Sequence, residues 1–204
     1  MKIAACMLFG LLLAGCAAGP LNRDAPAVYD FGPQRDEATT AKTIRASLLL
    51  NGVAAPAWLD TPAIVYRLVY QDAARHNVYA TSRWATAPAA LLTQRLRTRL
   101  AAASEGGVLS AADGARADYA LRIDLDEFSQ VFDAADRSRG VVIARASLVN
   151  TARRTLVAQK NFAVERNATS MDAAGGVRAL SAAGGELVDA VVVWTATAIA
   201  QDKK

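Results

Sequence analysis

The residue types that do most enzymatic chemistry are scarce in this chain and widely separated. There is one histidine, His76. It falls in a polar turn, Gln71 to Asn77, where an imidazole is ordinarily just solvated. No second imidazole or thiolate stands near enough to complete a zinc site. Asp124, Asp126 and Glu127 resemble paired carboxylates, but Asp124 and Asp126 share the polar side of an alternating run. Glycosidase chemistry needs one such carboxyl with a raised pKa, and nothing apolar beside these supplies it. There is no Gly-x-Ser-x-Gly elbow and no Walker loop. Gly175-Gly176 and Gly184-Gly185 lack the preceding strand and the lysine of a phosphate cradle, so they read as points of close helix packing. These residues predict no catalytic site, no metal and no cofactor, and therefore no enzyme.

The thiol chemistry is elsewhere. Lys2 precedes a short apolar run, Ile3 to Ala14, which is too short for a bilayer span of about 20 residues and has the layout of a secretory signal. It ends in Leu13-Ala14-Gly15-Cys16, which resembles the lipobox of bacterial lipoproteins. A cysteine is needed there because its thiol takes the lipid. The reading is a signal peptide over 1–15, an acylated Cys16 carrying diacylglycerol and palmitate, and a tether over 16–27 containing Gly19, Pro20 and Pro26. One acyl chain anchors only marginally, at ~0.8 kcal/mol per buried CH₂, so more than one is required. Ala17 and Ala18 follow the cysteine. The aspartate common in inner-membrane retention is missing from that position, so the outer membrane is the expected destination.

Composition narrows the field further. Cys6 leaves with the signal, so the remainder has one cysteine, already acylated, and no disulfide is available. The formal net charge is +4 and is spread out apart from Arg153-Arg154 and Lys203-Lys204. That pattern argues for a solvated surface and against nucleic-acid binding. No further segment reads as a membrane span.

One stretch stands out for recognition, Ile64 to Leu100. It concentrates Tyr66, Arg67, Tyr70, Tyr79, Arg83 and Trp84 in a chain otherwise dominated by alanine. Tyr, Trp and Arg are the side chains that most often dominate interfaces. Strand alternation puts Tyr66 and Tyr70 on one face and Arg67 on the other. It puts Tyr79 and Arg83 together, opposite Trp84. Burying an unpaired guanidinium is costly, so Arg67 and Arg83 are expected on the wetter face, with Trp84 in the core. The group is a candidate surface for a partner or for a homo-oligomer.

The elements that must position these residues can be read from periodicity. Val28 to Phe31 is a short first strand, Asp36 to Arg45 a loop, and Ser47 to Val53 a strand. Thr61 to Tyr70 and Val78 to Trp84 form a hairpin. Pro88 opens a helix whose apolar stripe is Leu92, Leu96 and Leu100, closed by Gly106-Gly107. Asp118 to Glu127 alternates cleanly, as a half-buried antiparallel strand should. Asp133 to Gly140 is a polar loop, and Gly140 to Val149 and Leu156 to Val164 are two more strands. Ser170 or Asp172 caps a last helix with a stripe of Val177, Leu180, Gly184, Leu187, Val191 and Trp194. The expected fold is α+β: one domain over 28–200, an antiparallel or mixed sheet with two helices packed on one face.

Several segments together resemble the ABC-type transport auxiliary lipoprotein family, the PqiC-like lipoproteins of MCE-type lipid transport systems. They are Val28-Tyr29-Asp30-Phe31-Gly32-Pro33, Ala55-Pro56-Ala57-Trp58-Leu59-Asp60 running into Tyr66-Arg67, and Arg83-Trp84-Ala85. Ala87-Pro88 stands where members often have two prolines, a small departure. The likeness spans nearly all of the chain after Cys16. It implies an outer-membrane, periplasm-facing adaptor without catalytic activity. That adaptor works beside ABC transporter components and an MCE-domain protein that move lipids or other hydrophobic molecules. The alternatives are a periplasmic carrier with its own apolar cavity, and a structural envelope lipoprotein.

Mass spectrometry of the native N-terminus is expected to find lipid on Cys16; an unmodified terminus elsewhere would overturn the lipobox reading.

Overall fold

The computed structural model describes residues 25–33 and 44–203. The signal 1–15, Cys16, most of the 16–27 tether and residues 34–43, which include most of the polar loop, lie outside the described residues. Eight strands and two helices follow in order: β1 Ala27–Tyr29, β2 Leu48–Ala54, β3 Ala63–Leu68, β4 His76–Trp84, α1 Pro88–Ala103, β5 Val108–Leu109, β6 Tyr119–Ala134, β7 Arg137–Asn150, β8 Thr155–Asn167 and α2 Ala173–Asp202. The strands form one mixed sheet, so the architecture is α+β, as the patterning predicts.

Strand β6 is the axis of that sheet. Along one edge it pairs with β7 antiparallel over its whole length, from Tyr119↔Asn150 to Ala134↔Arg137, and β7 pairs onward with β8. Its other edge is shared. The first half pairs in parallel with β2, Leu48↔Tyr119 to Ala54↔Asp124. The second half pairs in parallel with β3, Tyr66↔Gln130 to Leu68↔Phe132. The β3–β4 hairpin and the short parallel strand β1 therefore extend one end of the sheet, and β2 with β5 extends the other.

The register of β6 shifts between Leu125 and Glu127. Before the shift Tyr119, Leu121, Ile123 and Leu125 are buried in the core; after it Phe128 takes that place, and the whole run from Phe128 to Phe132 is buried. One extra residue at a bulge reverses which parity faces the core.

Both helices pack on one face. Helix α1 starts with Pro88 at its first turn, where a missing N–H costs nothing, and it buries Leu92, Leu96 and Leu100 completely. Its end is held by Ser104, whose hydroxyl donates to the Ala46 carbonyl at 2.8 Å. Helix α2 is 30 residues long. Its cap is Asp172, which accepts from the Gly175 amide at 2.8 Å. Leu180, Ala183, Leu187, Val191 and Val192 are fully buried along it. Each large apolar side chain so covered contributes roughly 1.5–3 kcal/mol. By length and composition α2 could cross a membrane, contrary to the reading that no further segment is long and apolar enough, but 56% of its apolar window is buried inside the domain. It is the core helix.

The expected polar loop over Asp133 to Gly140 is a tight hairpin instead, with only Ala135 and Asp136 between β6 and β7. Its polar residues belong to strands. Arg139 on β7 pairs with Asp133 on β6 and, at 3.0 Å, with Glu165 on β8, so charge on adjacent strands is neutralised across the sheet. Ser138 is buried because it accepts from Gln130 Nε2 at 2.8 Å.

Two glycines set how closely α2 approaches the sheet. A Cβ on Gly140 would lie 2.7 Å from the Leu180 amide nitrogen and 2.8 Å from the Ala179 carbonyl carbon. A Cβ on Gly176 would run into the Gln130 side chain. The close-packing reading of Gly175-Gly176 is thus met at Gly176.

Gly140→Ala is expected to destabilise by about 1–3 kcal/mol through overpacking against helix backbone. Thermal denaturation should show a loss of roughly 2–4 °C per kcal/mol for a chain of this size, and an unchanged melting temperature would mean that α2 can move away freely.

Candidate partner surface

The β3–β4 hairpin carries the tyrosine and arginine group, and its register decides where each member points. Val65 pairs with Val78, Tyr66 with Asn77 and Arg67 with His76, but Ala63 pairs with Arg83. From Val78 to Arg83 β4 takes five residue steps while β3 takes two. An odd excess reverses the alternation. Tyr79 and Trp84 therefore both face the helices, and Arg83 faces away. This corrects the expectation that Tyr79 shares a face with Arg83.

On the helix side Trp84 is 1% exposed, as its expected core role requires. Its ring meets Phe31 edge-on at 5.6 Å and Phe128 at 5.7 Å. Tyr66 and Tyr79 touch at 4.7 Å between ring centres, and Tyr66 also meets Phe132 at 6.0 Å. The Tyr79 hydroxyl donates to Gln130 Oε1 at 2.8 Å, and Gln130 Nε2 donates to the Ser138 hydroxyl. Gln130 is fully buried, so both ends of its amide are satisfied by this chain of bonds. Burial, then the neighbouring Tyr66 and Asp172, push the Tyr79 phenol up to about 12. Its proton, and so its hydrogen bond, is secured. Tyr66 and Tyr79 consequently tie the hairpin to β6, where Gln130 lies against Gly176 of α2, and are only half available to a partner.

On the helix-free side Arg67 and His76 are cross-strand neighbours. Trp58, from the turn closed by the Leu59 and Asp60 amides donating to the Pro56 carbonyl, lies against both. Its ring stacks on His76 at 5.2 Å, and the Arg67 guanidinium carbon sits 5.2 Å from the ring centre. Arg67 also pairs with Glu127 at 3.2 Å, with the side chains only 17% and 18% exposed. Arg67 is therefore on the expected face but held beneath Trp58. Arg83 is exposed, next to Val28 on β1. No ion pair among the described residues involves it. Val28 and Val78 are 54% and 53% exposed. Tyr70 lies beyond β3 at the hairpin tip and is exposed, apart from Arg83.

The structure thus splits the six sequence candidates. Trp84 is core, Tyr66 and Tyr79 are anchors, Arg67 is pinned, and Tyr70 and Arg83 remain open at separate places. Sequence reasoning noticed Trp58 only within the family-like block and Glu127 only as one of a group of carboxylates, and it missed Gln130, which nothing local marks.

The carboxylates considered for acid–base work have structural partners. Glu127 holds Arg67 and Asp124 lies 3.8 Å from Arg145, while Asp126 is exposed. No group of His, Cys, Asp and Glu among the described residues could hold a metal. A cleft of about 630 Å³ runs beside α1 and α2, lined by Phe31, Arg95, Arg99, Arg166, Glu186 and Asp189 among others. Arg99 bonds Asp189 and Arg166 bonds Glu186, and Arg95 donates to the Phe31 carbonyl at 2.9 Å.

Tyr79→Phe leaves the buried Gln130 oxygen without a donor, an expected loss of about 1–3 kcal/mol near neutral pH. Its pH dependence is a sharper test. The folded phenol keeps its proton to about 12 against an ordinary 10.0. The unfolded chain therefore binds fewer protons in that window, and stability falls as pH rises through it. Tyr119 is shifted the same way by burial and its bond to Asp202, so Tyr79→Phe should flatten the alkaline slope in part. An unchanged slope in chemical denaturation would show that Tyr79 is not protected.

Three solved structures share this fold. Protein XCC0632 from Xanthomonas campestris has 21% identity and a TM-score of 0.74, covering 87% of this chain and 99% of its own. An uncharacterized protein has 16% identity and a TM-score of 0.63, covering 84% and 99%. The hypothetical protein CT253 from Chlamydia trachomatis has 9% identity and a TM-score of 0.53, covering 76% and 98%. At such identities the likeness is one of fold. Among curated proteins none matches the chain. The family described as the ABC-type transport auxiliary lipoprotein component matches residues 29–192, a span that runs from β1 through most of α2. The chain belongs to the ABC-type transport auxiliary lipoprotein family.

Proposed function

We propose that this lipoprotein is an adaptor held at the periplasmic face of the outer membrane by lipid on Cys16. It docks an MCE-domain protein of an ABC-type system that moves lipids or other hydrophobic molecules. The family match supports a transport auxiliary role. The observation that carries the adaptor reading is the helix-free face of β1 and β4, where exposed Arg83 lies beside exposed Val28, with exposed Val78 earlier on β4. An arginine rimmed by apolar surface is the composition of interface hot spots. Trp58, Arg67 and His76 continue the same face as a rigid stack.

A carrier would need a space for acyl chains. The cleft beside α1 and α2 is instead lined by three arginines and two carboxylates, unlike the predominantly apolar pockets that hold hydrophobic ligands. This favours docking over carriage. The same face could equally join copies of this chain, and one experiment reads both outcomes.

Arg83→Ala is expected to abolish binding to the MCE-domain protein, or to dissolve a homo-oligomer, with the melting temperature unchanged. A large fall in melting temperature with assembly intact would make Arg83 structural and defeat the proposal. Lipid co-purifying with the delipidated domain would favour the carrier instead.

A further inference from the structure

Charge and chain length disagree about which end of the domain meets the membrane. Far from the hairpin, at the C-terminal end of α2, several cations gather. Lys203 donates to the Arg45 carbonyl at 2.6 Å, Arg153 bonds Asp202, and Arg116 and Lys203 line one shallow cleft of about 310 Å³. Carboxylates stand among them and offset part of that charge, Glu105 at 3.7 Å from Arg45 and Asp202 paired with Arg153. Asp118 accepts from the Ser47 amide and hydroxyl, both at 2.8 Å, and Asp202 accepts from Tyr119 at 2.9 Å. A cationic surface is attracted to anionic lipid, so charge alone would turn this end to the bilayer.

Chain length selects the other end. From Cys16 to Ala27 there are eleven residue steps, which reach at most about 40 Å. Ala27 lies beside Ser82, Ala63 opposite Arg83, and Tyr66 beside Gln130. Those registers put Ala27 about level with Phe128, in keeping with the Trp84–Phe128 ring contact at 5.7 Å. From Phe128 the basic end at Tyr119 is nine strand residues away, or roughly 30 Å. The hairpin end at Ala134 is six residues away in the other direction, or roughly 20 Å. Direction adds to distance. Strand β1 runs parallel to β4, and β4 starts at the hairpin tip, so the chain enters β1 from the hairpin side. To bring the basic end to the bilayer the chain would have to double back and stretch close to its limit, a large loss of conformational freedom.

Resting on the reading that Cys16 is acylated, we propose that the hairpin end is the bilayer-facing end of the domain. Its occupant is the phospholipid headgroup layer. Tyr70, 45% exposed at the tip, and Met171, 36% exposed in the connection to α2, are its apolar contacts, and exposed Arg75 supplies a phosphate partner. A tyrosine suits this layer because its ring is apolar and its hydroxyl wet. The basic end then points into the periplasm, and the Arg83 face stands between the two, clear of the bilayer.

The test uses the full lipidated chain in vesicles of phosphatidylethanolamine and phosphatidylglycerol carrying a headgroup quencher. Cys6 departs with the signal and acylation blocks Cys16, so a cysteine introduced by Ala73→Cys at the tip or Ala152→Cys at the basic end takes a fluorophore alone. Both positions are exposed turns. The label at 73 is expected to be quenched several-fold more than the label at 152. A Gly-Ser insertion after Pro26 should erase that difference. Equal quenching, stronger quenching at 152, or a difference that survives the insertion would overturn the inference. Mass spectrometry on the same samples separates the two readings: no lipid on Cys16 defeats the anchoring itself, whereas lipid on Cys16 with the basic end nearer the bilayer defeats only the orientation.

Discussion

Helix α2 lies directly on β6 and β7 because Gly140 and Gly176 leave room at the crossing. That contact sets the spacing of everything around it. With α2 seated, Leu180, Leu187 and Val191 fill the space above β7, where Val142, Ala144, Ala146 and Leu148 are buried. The remaining helix, α1, fits beside it against β2. The buried amide of Gln130 then has to be satisfied at the same place, and Tyr79 and Ser138 do so. A side chain at either glycine would lift the helix, open the amide to a void and loosen the hairpin together. Packing density makes such cores respond as units.

The hairpin inherits its shape from that seat. Tyr66 and Tyr79 face inward because Gln130 and Phe132 are there to receive them. The irregular register of β4 then turns Arg83 outward while bringing Trp84 back into the core. The result is a strip whose inner side is locked and whose outer side leaves Arg83 exposed. An adaptor benefits from this arrangement, since a preorganised surface loses less freedom on docking than a mobile one. The stack of His76, Trp58 and Arg67 stiffens the outer side in the same way, and Glu127 compensates the charge that Trp58 covers.

Strand β6 also gives the domain two distinct ends. At one, the hairpin, the β6–β7 turn and the start of α2 come together. At the other, β2, β5, the β7–β8 turn and the end of α2 do. A sixteen-residue strand extends for roughly 50 Å. That is long enough for a tethered domain to meet a bilayer with one end and the periplasm with the other.

Much was legible in the sequence alone. The alternation of Tyr119, Leu121, Ile123 and Leu125, the leucine stripe of α1 and the Asp172 cap are local signals, because each depends on spacing within one element. The α+β class follows from them, whereas the family resemblance rests on separate segments, Val28 to Pro33, Ala55 to Asp60 with Tyr66-Arg67, and Arg83 to Ala85. The sequence could not show that most of Asp133 to Gly140 is strand, because Arg139 is neutralised by Asp133 across the hairpin and by Glu165 on the neighbouring strand β8. It could not show that Tyr79 and Trp84 share a face either, because a register shift breaks the two-residue period that the prediction relies on. Gln130 carried no local mark at all, and Glu127 stood out only as one of a group of carboxylates. Their roles exist only where separate strands and helix α2 bring a phenol, a guanidinium and a glycine against them. Periodicity records which side of an element is apolar; only the packed chain decides which polar groups on that element find each other.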